Sequence, residues 1–303
     1  MFVTVSKTTF CLRLLLRKNS LKQLPFISGH TFQPIRGNMF NTAVEKLDSP
    51  EFKSVLTPEL FTVTKPFQKQ GFDIRIVGGA VRDILLGIPP KDVDLGTNAT
   101  PSEMIELFKE HKIHYIETGL QHGTITAHVN KRDFEVTTLR IDTETDGRHA
   151  KVQFTHDWKL DAERRDLTFN AMSLGLDGSL YDYFGGREDL FNHRVRFVGD
   201  SRSRIQEDYL RILRYFRFYG RIALEADNHD QATLNVIREC SDGLRQISVE
   251  RIWMEVSKIL TGNHTPDLLH RMYELNVSQS IGECFIKILH HQHQLHNIHV
   301  KYL

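Results

Sequence analysis

A segment in the first third of the chain, VGGAVRDILLGIPPKDVDLGTNATP, most constrains what this sequence can fold into. Residues Ile74–Val77 predict a short buried strand, Gly78 and Gly79 interrupt it, and residues 80–86 resume with helical spacing. Two glycines at the start of a helix let backbone N–H groups approach a phosphate, and Arg82 adds a positive charge one turn later. The segment therefore predicts a strand–turn–helix unit that binds phosphate.

Two carboxylates follow within the same segment. Asp92 and Asp94 are predicted to occupy alternate positions of a second short strand, so both side chains leave one face with Cα atoms roughly 7 Å apart. That spacing lets both carboxylates bind Mg²⁺, as two-metal chemistry requires. Alone, a Gly-Gly pair is usually a tight turn and an Asp-x-Asp pair a solvated strand end, but their combination favours a site.

A third carboxylate is predicted on a hairpin downstream. Residues 122–129 and 133–139 alternate in the manner of antiparallel strands, and the polar residues 130–132 form the turn. Glu135 lies between Phe134 and Val136 and is expected to face away from the apolar side. A lone Glu on a strand ordinarily faces solvent, but an Asp, Asp, Glu set on adjacent strands can hold two Mg²⁺ ions.

The run RRDLTFNAM follows the hairpin and places three polar side chains within about one helical turn. In isolation it is typical of a charged helix start, with Asp166 near the positive end of the helix dipole. Beside the other motifs, we interpret Arg165 as a phosphate clamp and Asn170 as a contact to a sugar.

Residues 203–221 predict one long amphipathic helix. Its apolar face consists of Tyr209, Ile212, Leu213, Tyr215, Phe216 and Tyr219. Its opposite face carries Arg211, Arg214, Arg217 and Arg221. Because few acidic residues lie near in sequence, some of these arginines are expected to be free to bind a phosphate or a base edge.

Five motifs in this order resemble the class II CCA-adding tRNA nucleotidyltransferases of the eukaryotic, mitochondrial and nuclear type, within the polymerase-β superfamily. The resemblance extends from Lys65 to about Ile281. The motifs are GGAVRD with KDVDL, then FEVTTLR, RRDLTFNAM, EDYLRILRYFRF and ISVERIWMEV.

The resemblance implies an α+β fold, in which a polymerase-β-like head with a small mixed β-sheet and helices precedes an all-α neck. It implies Asp92 and Asp94 as ligands of Mg²⁺, with Glu135 as the third catalytic carboxylate. Three residues would bind the triphosphate: Gly79, Arg82 and Arg165. Four would form the nucleotide pocket: Asp208, Arg211, Arg214 and Arg217.

The implied activity is template-independent addition or repair of the 3′-terminal CCA of tRNA, using CTP and ATP and releasing pyrophosphate. A carboxylate accepts a hydrogen bond from the exocyclic amino group of C or A, and a guanidinium donates to the adjacent ring nitrogen. Asp208 with Arg211 could therefore select C and A. The expected partners are tRNA, ATP and CTP, without a membrane, and a homodimer is left open. A bacterial class II poly(A) polymerase is a close variant that these motifs do not exclude.

Composition narrows the function classes. With 303 residues and 40% hydrophobic content, the chain can bury one or two cores, and a net charge of +1 excludes a uniformly basic RNA-coating protein. Any RNA contact is therefore local. The three cysteines lack CxxC spacing, which indicates neither a zinc ribbon nor a disulfide framework. No apolar run reaches about 18 residues, so no membrane span is expected.

The N-terminus differs in character from the remainder. Residues 1–43 contain six basic residues and no acidic ones, interleaved with Leu and Phe, which predicts a mitochondrial transit peptide over residues 1–42 and location in the matrix. Met39 could start a second form that stays in the cytoplasm and nucleus. A disordered basic arm is the alternative.

The remaining boundaries come from pattern. Residues 43–186 are predicted as the catalytic head and residues 187–282 as the helical neck. A capping box at Thr100 and Glu103 predicts a helix to about Lys112. Residues 139–152 are polar and broken by glycine, which predicts a mobile loop near the site.

The C-terminal residues 283–303 depart from the resemblance, since family members continue there with body and tail domains that hold tRNA. Five histidines lie between His290 and His299. A divergent tail is favoured over a metal cluster. The alternative function is therefore a noncatalytic or weakly active isoform, acting as a decoy or as an unstable product. Without a body domain, an apolar face of the neck is expected to be open to water, including parts of Trp253, Leu268, Leu269 and Met272.

Overall fold

A computed structural model of the chain describes residues 46–145 and 150–282. These residues belong to one compact unit. The predicted transit peptide (1–42), the divergent tail (283–303) and its histidines lie outside the described residues.

In chain order, the first elements are α1 (Pro50–Val55), α2 (Pro58–Lys69), β1 (Ile74–Val77), α3 (Gly79–Leu85), β2 (Leu95–Thr97), α4 (Pro101–Glu110) and β3 (His114–Gly119). Strands then predominate: β4 (Thr124–Val129), β5 (Arg132–Thr138), β6 (Arg140–Thr145), β7 (Ala150–Phe154), α5 (Trp158–Glu163), β8 (Ser173–Gly175) and β9 (Leu180–Tyr181). The rest is helical: α6 (Gly186–Phe191), α7 (Ser201–Glu207), α8 (Leu210–Ile222), α9 (Gln231–Cys240), α10 (Val249–Ile259), α11 (Thr265–Glu274) and α12 (Val277–Ser280).

Seven strands form one mixed sheet in the order β3-β4-β5-β2-β1-β8-β9. Strands β2 and β5 run parallel, and every other neighbouring pair in this sheet is antiparallel. Strands β6 and β7 form a separate antiparallel pair. A small mixed sheet with helices, followed by helices alone, confirms the predicted α+β architecture.

The two faces of the sheet have different surroundings. Ile76 and Val136 are fully buried on one face, where they share a hydrophobic core with Phe108 of α4. On the opposite face, Val77 packs with Trp158 in a small separate cluster. Since successive residues of a strand point to opposite faces, Ile76 stabilises the core and Val77 faces the site.

The predicted capping box is confirmed. The Thr100 side chain accepts from the backbone N–H of Glu103, and the Glu103 carboxylate accepts from the backbone N–H of Thr100. The helix ends at Glu110, because Lys112 has a positive φ of 56° that a helix cannot contain. The helix is therefore slightly shorter than predicted.

Asp92 and Asp94 lie immediately before a strand and not within it, which corrects the prediction. Strand β2 begins at Leu95, although the backbone N–H of Val77 already donates to the Asp94 carbonyl at 2.9 Å. The paired register of β1 and β2 ends where Ile76 lies opposite Leu95, and β1 itself ends at Val77. The two carboxylates therefore stand at the end of the β1–β2 ladder.

The predicted mobile loop over residues 139–152 is also wrong, because strands β6 and β7 form a hairpin there. Its tip, residues 146–149, lies outside the described residues. The sequence pattern concealed these strands because Arg140 and Asp142, each with a side chain 19% exposed, face the protein interior. A strand that turns polar side chains inward does not show the alternation of a half-buried strand.

The predicted helix over residues 203–221 is divided into α7 and α8. Asp208 interrupts it with extended backbone angles, φ −154° and ψ 105°, and its carboxylate accepts from the backbone N–H of Leu210 at 3.1 Å. An aspartate side chain competes for backbone N–H groups in this way at helix starts. The interruption places Asp208 at the N-terminal end of α8.

The apolar face of α8 is confirmed as a core element, since five of its predicted residues are at most 2% exposed: Ile212, Leu213, Tyr215, Phe216 and Tyr219. The expected exposure of α11 is wrong, because Leu268, Leu269 and Met272 are at most 1% exposed. The exposed apolar side chains of this region instead include Val249 and Met254, on α10. Among the described residues, no helix has the length and apolar character that crossing a membrane requires.

Gly186 is a position where any side chain is expected to destabilise the fold. A Cβ atom there would overlap the backbone carbonyl of Thr168 and would lie 2.9 Å from the Cα atom of Phe169. We expect Gly186→Ala to lower the free energy of unfolding by about 3 kcal/mol, because two backbone segments would have to separate. Gly262→Ala is the matched control, since its nearest contact would be an ordinary 3.4 Å. Equal urea midpoints for both variants would contradict this close approach.

A partly buried histidine is expected to make stability depend on pH. His229 stacks on Tyr219 with ring centroids 3.7 Å apart, and its Nδ1 lies 2.9 Å from the Tyr215 hydroxyl. Burial lowers the pKa of His229 to about 4, against the opposing effect of Asp227. Because the unfolded chain takes up a proton near pH 6.5 and the native state does not, stability should fall as pH drops from about 6.5 to 4.

His229→Gln removes this titration and leaves a polar group beside Tyr215. We therefore expect urea midpoints of the wild type to fall more steeply between pH 6.5 and 5 than those of the variant. Parallel curves for the two proteins would show that His229 does not cause the dependence.

Candidate active site

A cleft of about 200 Å³ opens on the face of the sheet that carries Val77. It is lined by Val77, Asp94, Gly96, Thr124, Glu135, Thr137, Arg140, Asp161, Arg164 and Arg165. The lining therefore combines carboxylates with the guanidinium groups of three arginines.

The sheet topology brings two of the predicted catalytic carboxylates together. Strands β2 and β5 run parallel with Leu95 opposite Val136, so Asp94 and Glu135 precede paired residues on neighbouring strands. Glu135 is exposed between buried Phe134 and Val136, as its alternation predicts. Residues 41 positions apart in sequence thus reach adjacent places on one sheet face.

The carboxylates of Asp94, Glu135 and Asp92 repel one another when they are ionised. The Asp94 side chain is open to the cleft, yet exclusion of water by the cleft walls, together with the nearby charges of Glu135 and Asp92, raises its pKa to about 6. Arg165 acts in the opposite direction. Carboxylates that repel one another at close range are typical of a site that gains stability when it binds a cation.

These oxygen ligands are those that Mg²⁺ prefers, and the parallel register of β2 and β5 places two of them, Asp94 and Glu135, side by side. Within residues 46–145 and 150–282, no three acidic, histidine or cysteine side chains already stand in a metal-binding arrangement. The donor set therefore fits Mg²⁺ in its chemistry, and its side chains would have to turn towards the ion on binding.

The glycine turn lies at the end of β1. Gly78 has φ 66° and ψ −125°, a backbone conformation that L side chains rarely adopt, and a Cβ atom there would lie 3.2 Å from Arg165 Nη1. The structure therefore brings the Gly78–Gly79 turn and Arg165 together, as the predicted phosphate site requires.

Arg165 is held by Asp161, a residue that the sequence analysis did not single out. The Asp161 side chain is 5% exposed and binds Arg165 Nη2 at 3.1 Å and Arg164 Nη2 at 2.8 Å. Burial alone would raise the pKa of Asp161, but the two guanidinium groups outweigh it and hold that pKa below its ordinary value. The backbone N–H of Arg140 also donates to Asp161 at 3.2 Å. The motifs FEVTTLR and RRDLTFNAM contain Arg140 and Arg165 of this group, but neither motif includes Asp161.

Arg82 and Asn170 lie beneath the turn. Arg82 is 5% exposed, and its Nη1 donates to Asn170 Oδ1 at 2.7 Å, while Asp83 binds its other nitrogens. Burial lowers the pKa of Arg82 to about 10, against the opposing charge of Asp83. The Asn170 amide nitrogen donates to Asp166 at 3.2 Å. Both polar ends of Asn170 are thus engaged within the protein, and a sugar contact would require one of these bonds to open.

Asp166 connects this network to the neck. It is 7% exposed, and Arg214 Nη2 lies 2.6 Å from its carboxylate. Burial favours the neutral acid, but Arg214 and the backbone N–H of Leu167 outweigh it and keep the pKa of Asp166 below its ordinary value. Asp166 is therefore an ion-pair partner of α8 and not the charged helix start of the alternative interpretation.

The expectation that some arginines of α8 lack a carboxylate is wrong. Each has a partner: Arg211 with Glu207, Arg214 with Asp166, Arg217 with Glu255, and Arg221 with Asp83. Three of these carboxylates are distant in sequence, and tertiary packing brings them to the helix. Local acidic residues could not reveal them.

Asp208 does not pair with Arg211 in this structure. Its carboxylate binds Arg251 Nη2 at 2.8 Å, whereas Arg211 donates to Glu207 and to the carbonyls of Arg204 and Arg164. Arg251 lies in the motif ISVERIWMEV, which the resemblance included without a role for this residue. Of the residues predicted to form the nucleotide pocket, Asp208 therefore contacts Arg251, and Arg211 is turned inwards.

Comparison with known proteins gives two matched regions. Residues 74–196 match the family described as "Poly A polymerase head domain", and residues 229–282 match "Probable RNA and SrmB- binding site of polymerase A". The mitochondrial CCA tRNA nucleotidyltransferase 1 of Homo sapiens is 57% identical over 238 residues, which cover 78% of this chain and 55% of that protein. The CCA-adding enzyme of Leuconostoc citreum is 38% identical over 218 residues, covering 70% and 52%.

Solved structures agree with these matches. The Bacillus stearothermophilus CCA-adding enzyme in complex with CTP superposes with a TM-score of 0.66 at 33% identity, covering 76% of this chain and 54% of that one. A tRNA nucleotidyltransferase complexed with a primer tRNA and an incoming ATP analog gives 0.60 at 28% identity, covering 73% and 62%. The chain spans about half the length of the curated relatives it matches. Sequence identity, matched regions and fold agree: this chain belongs to the CCA tRNA nucleotidyltransferase family.

Proposed function

We propose that this protein transfers nucleotides from CTP and ATP to the 3′ end of tRNA, building or repairing the terminal CCA with release of pyrophosphate. The observation that carries the proposal is the cleft in which Asp94 and Glu135 face Arg165 and the Gly78 turn. Carboxylates opposite a phosphate-binding wall are what nucleotidyl transfer needs. The relatives' names and their bound CTP, ATP analog and tRNA support the choice of substrates.

The chain's own residues divide the work. Arg165 and the backbone N–H groups of the glycine turn bind and orient the triphosphate, because both stand at one end of the cleft. Arg82 adds positive charge beneath the turn. Asp92 and Asp94 would hold Mg²⁺, with Glu135 beside them, and bound Mg²⁺ would supply charge stabilisation and a lower pKa for the attacking 3′-hydroxyl. The carboxylates position the hydroxyl end of the RNA opposite the triphosphate.

Base selection is proposed at the start of α8. Asp208 can accept from the amino group of C or A, and Arg251 or Arg211 can donate to the neighbouring ring nitrogen. In this structure Arg251 is the guanidinium in contact with Asp208. Arg214 and Arg217 support the pocket through their ion pairs with Asp166 and Glu255. A base would therefore replace or share the Asp208–Arg251 contact.

Nucleotide incorporation by the purified chain tests the function. Radiolabelled CTP and ATP are supplied with Mg²⁺ to tRNA that lacks its CCA end, and product ends are sequenced. We expect growth by C, C and A that then stops. Extended A tails would favour the poly(A) polymerase variant, and no incorporation would favour the noncatalytic isoform. A homodimer stays a prediction that the elution volume of the same preparation would test.

We propose a mitochondrial location for the protein. Supporting observations are the basic, acid-free composition of residues 1–43 and the mitochondrial names of the human, mouse and zebrafish relatives. Residues 1–39 fused to a fluorescent reporter should enter the mitochondrial matrix, because an acid-free basic amphipathic segment is a typical import signal. A chain that starts at Met39 should stay in the cytoplasm and nucleus. Cytoplasmic reporter fluorescence from both fusions would contradict the location.

A further inference from the structure

Arg75 is a buried cation that neither the motifs nor the proposed mechanism use. It lies on β1 and is 8% exposed. Its guanidinium carbon lies 4.0 Å from the ring centroid of Trp158 and 3.6 Å from that of Tyr181. The carboxylate of Asp73, the residue just before β1, binds one terminal nitrogen of the Arg75 guanidinium. The guanidinium is therefore enclosed between two aromatic side chains.

Stability alone does not account for this arrangement. Arg75 Nε and Nη1 are buried without a hydrogen-bond partner among the described residues. Burial of incompletely bonded donors is unfavourable, and an apolar side chain of similar volume usually fills such a position at lower cost. What a planar cation adds is a defined distance and orientation for the two rings that it contacts.

Trp158 connects Arg75 to the cleft. It is the first residue of α5, and its ring packs so closely on the cleft floor that a Cβ atom on Gly96 would lie 3.1 Å from it. One turn later, α5 presents Asp161, which binds Arg164 and Arg165 at the cleft wall. The contacts therefore run without interruption from Arg75 through α5 to the guanidinium beside Gly78.

We propose that Arg75 is a positioning residue for nucleotide binding: by clamping Trp158 against Tyr181, it sets α5 so that Asp161 holds Arg165 over the glycine turn. The inference rests on the proposed function, in which Arg165 binds the triphosphate. Arg75 itself touches no substrate. A change at Arg75 should therefore alter the affinity for the triphosphate, which CTP and ATP share, and should not alter base selection.

Steady-state kinetics of Arg75→Lys tests the proposal, because lysine keeps the charge and loses the planar stack. We expect KM to rise about tenfold for CTP and for ATP, with kcat within about twofold of the wild type. Tyr181→Leu, which removes a ring, should resemble Arg75→Lys. Tyr181→Phe, which keeps the ring, should retain the wild-type KM and serves as the matched control.

A double-mutant cycle distinguishes positioning from general loosening of the fold. If Arg75 acts through Arg165, Arg75→Lys should raise KM no further in an Arg165→Ala background. An unchanged KM for Arg75→Lys, or full additivity with Arg165→Ala, would overturn the proposal. Absence of incorporation by the wild type would instead count against the proposed function. Equilibrium titration of each variant with CTP gives the same comparison without turnover.

Discussion

Asp94→Asn is expected to lower nucleotide incorporation by at least about a thousandfold, because a lost Mg²⁺ ligand removes several kcal/mol of transition-state stabilisation. The same substitution should raise the melting temperature in EDTA at pH 7.5. The pKa of Asp94 is raised to about 6 by burial and by Glu135 and Asp92, so its ionised form is penalised in the native state. Asparagine has the shape of the protonated acid but carries no charge, so it avoids the free-energy cost of an ionised carboxylate at this position.

The sign follows from proton linkage. Between pH 3.8 and about 6 the native state holds a proton that the unfolded chain has lost, so wild-type stability falls as pH rises through this range. Above about pH 6, the loss of wild-type stability that Asp94 causes is constant. Because Asp94 is exposed to the cleft, solvent screening reduces this effect. We expect Asp94→Asn to raise the free energy of unfolding by on the order of 1 kcal/mol and the melting temperature by about 3 °C, and this difference should disappear below pH 6.

Asp177→Asn is the control for this prediction. Asp177 is exposed, and Ser179 lowers its pKa by hydrogen bonding, so its loss should leave incorporation unchanged and lower stability slightly. The measurements are incorporation of labelled CTP and thermal unfolding followed by circular dichroism. Near-normal turnover by Asp94→Asn would refute the assigned site. A lower melting temperature would show that its carboxylate is not under repulsion.

Asp208→Ala is expected to reduce the preference for CTP and ATP over UTP and GTP by about 10- to 100-fold, since a lost base-edge contact costs about 1–3 kcal/mol. Asp208 is the better single test because Arg211 also binds Glu207 and two backbone carbonyls. Arg211→Ala should therefore lower stability together with discrimination. Arg82→Ala should weaken all four nucleotides alike, because its charge lies beneath the phosphate turn.

The measurement is kcat/KM for each of the four nucleotides on the same tRNA. Glu225→Ala is the control, as an acidic residue close in sequence to α8 and outside the proposed pocket. A variant that lacks Asp208 and still rejects UTP and GTP would place base reading elsewhere. A similar loss in Glu225→Ala would indicate that the neck as a whole controls selection.

Much of the site could be predicted from local sequence. The strand Ile74–Val77, the glycine turn and the capping box at Thr100 are set by backbone conformation and short-range hydrogen bonds, which neighbouring residues specify. The outward direction of Glu135 follows from strand alternation. The head and helical neck were recognisable because motifs carry fold information in their order.

The ion-pair partner of each charged side chain could not be predicted, because these pairs join residues from distant parts of the chain. Three of the four arginines of α8 pair with carboxylates from segments distant in sequence, and the hairpin β6–β7 turns Arg140 and Asp142 inwards where pattern analysis expects apolar residues. Asp208 is directed to Arg251 only by the break between α7 and α8.

The sequence by itself determined which chemical groups this protein brings to a phosphate and a metal, because those groups lie in short segments with local geometry. Only the tertiary structure decided which cations remain available to a substrate. A buried charge is stable only beside an opposite charge or a suitable ring, and that neighbour is chosen by packing. Asp161 with Arg165, and Arg75 between Trp158 and Tyr181, exist for that reason.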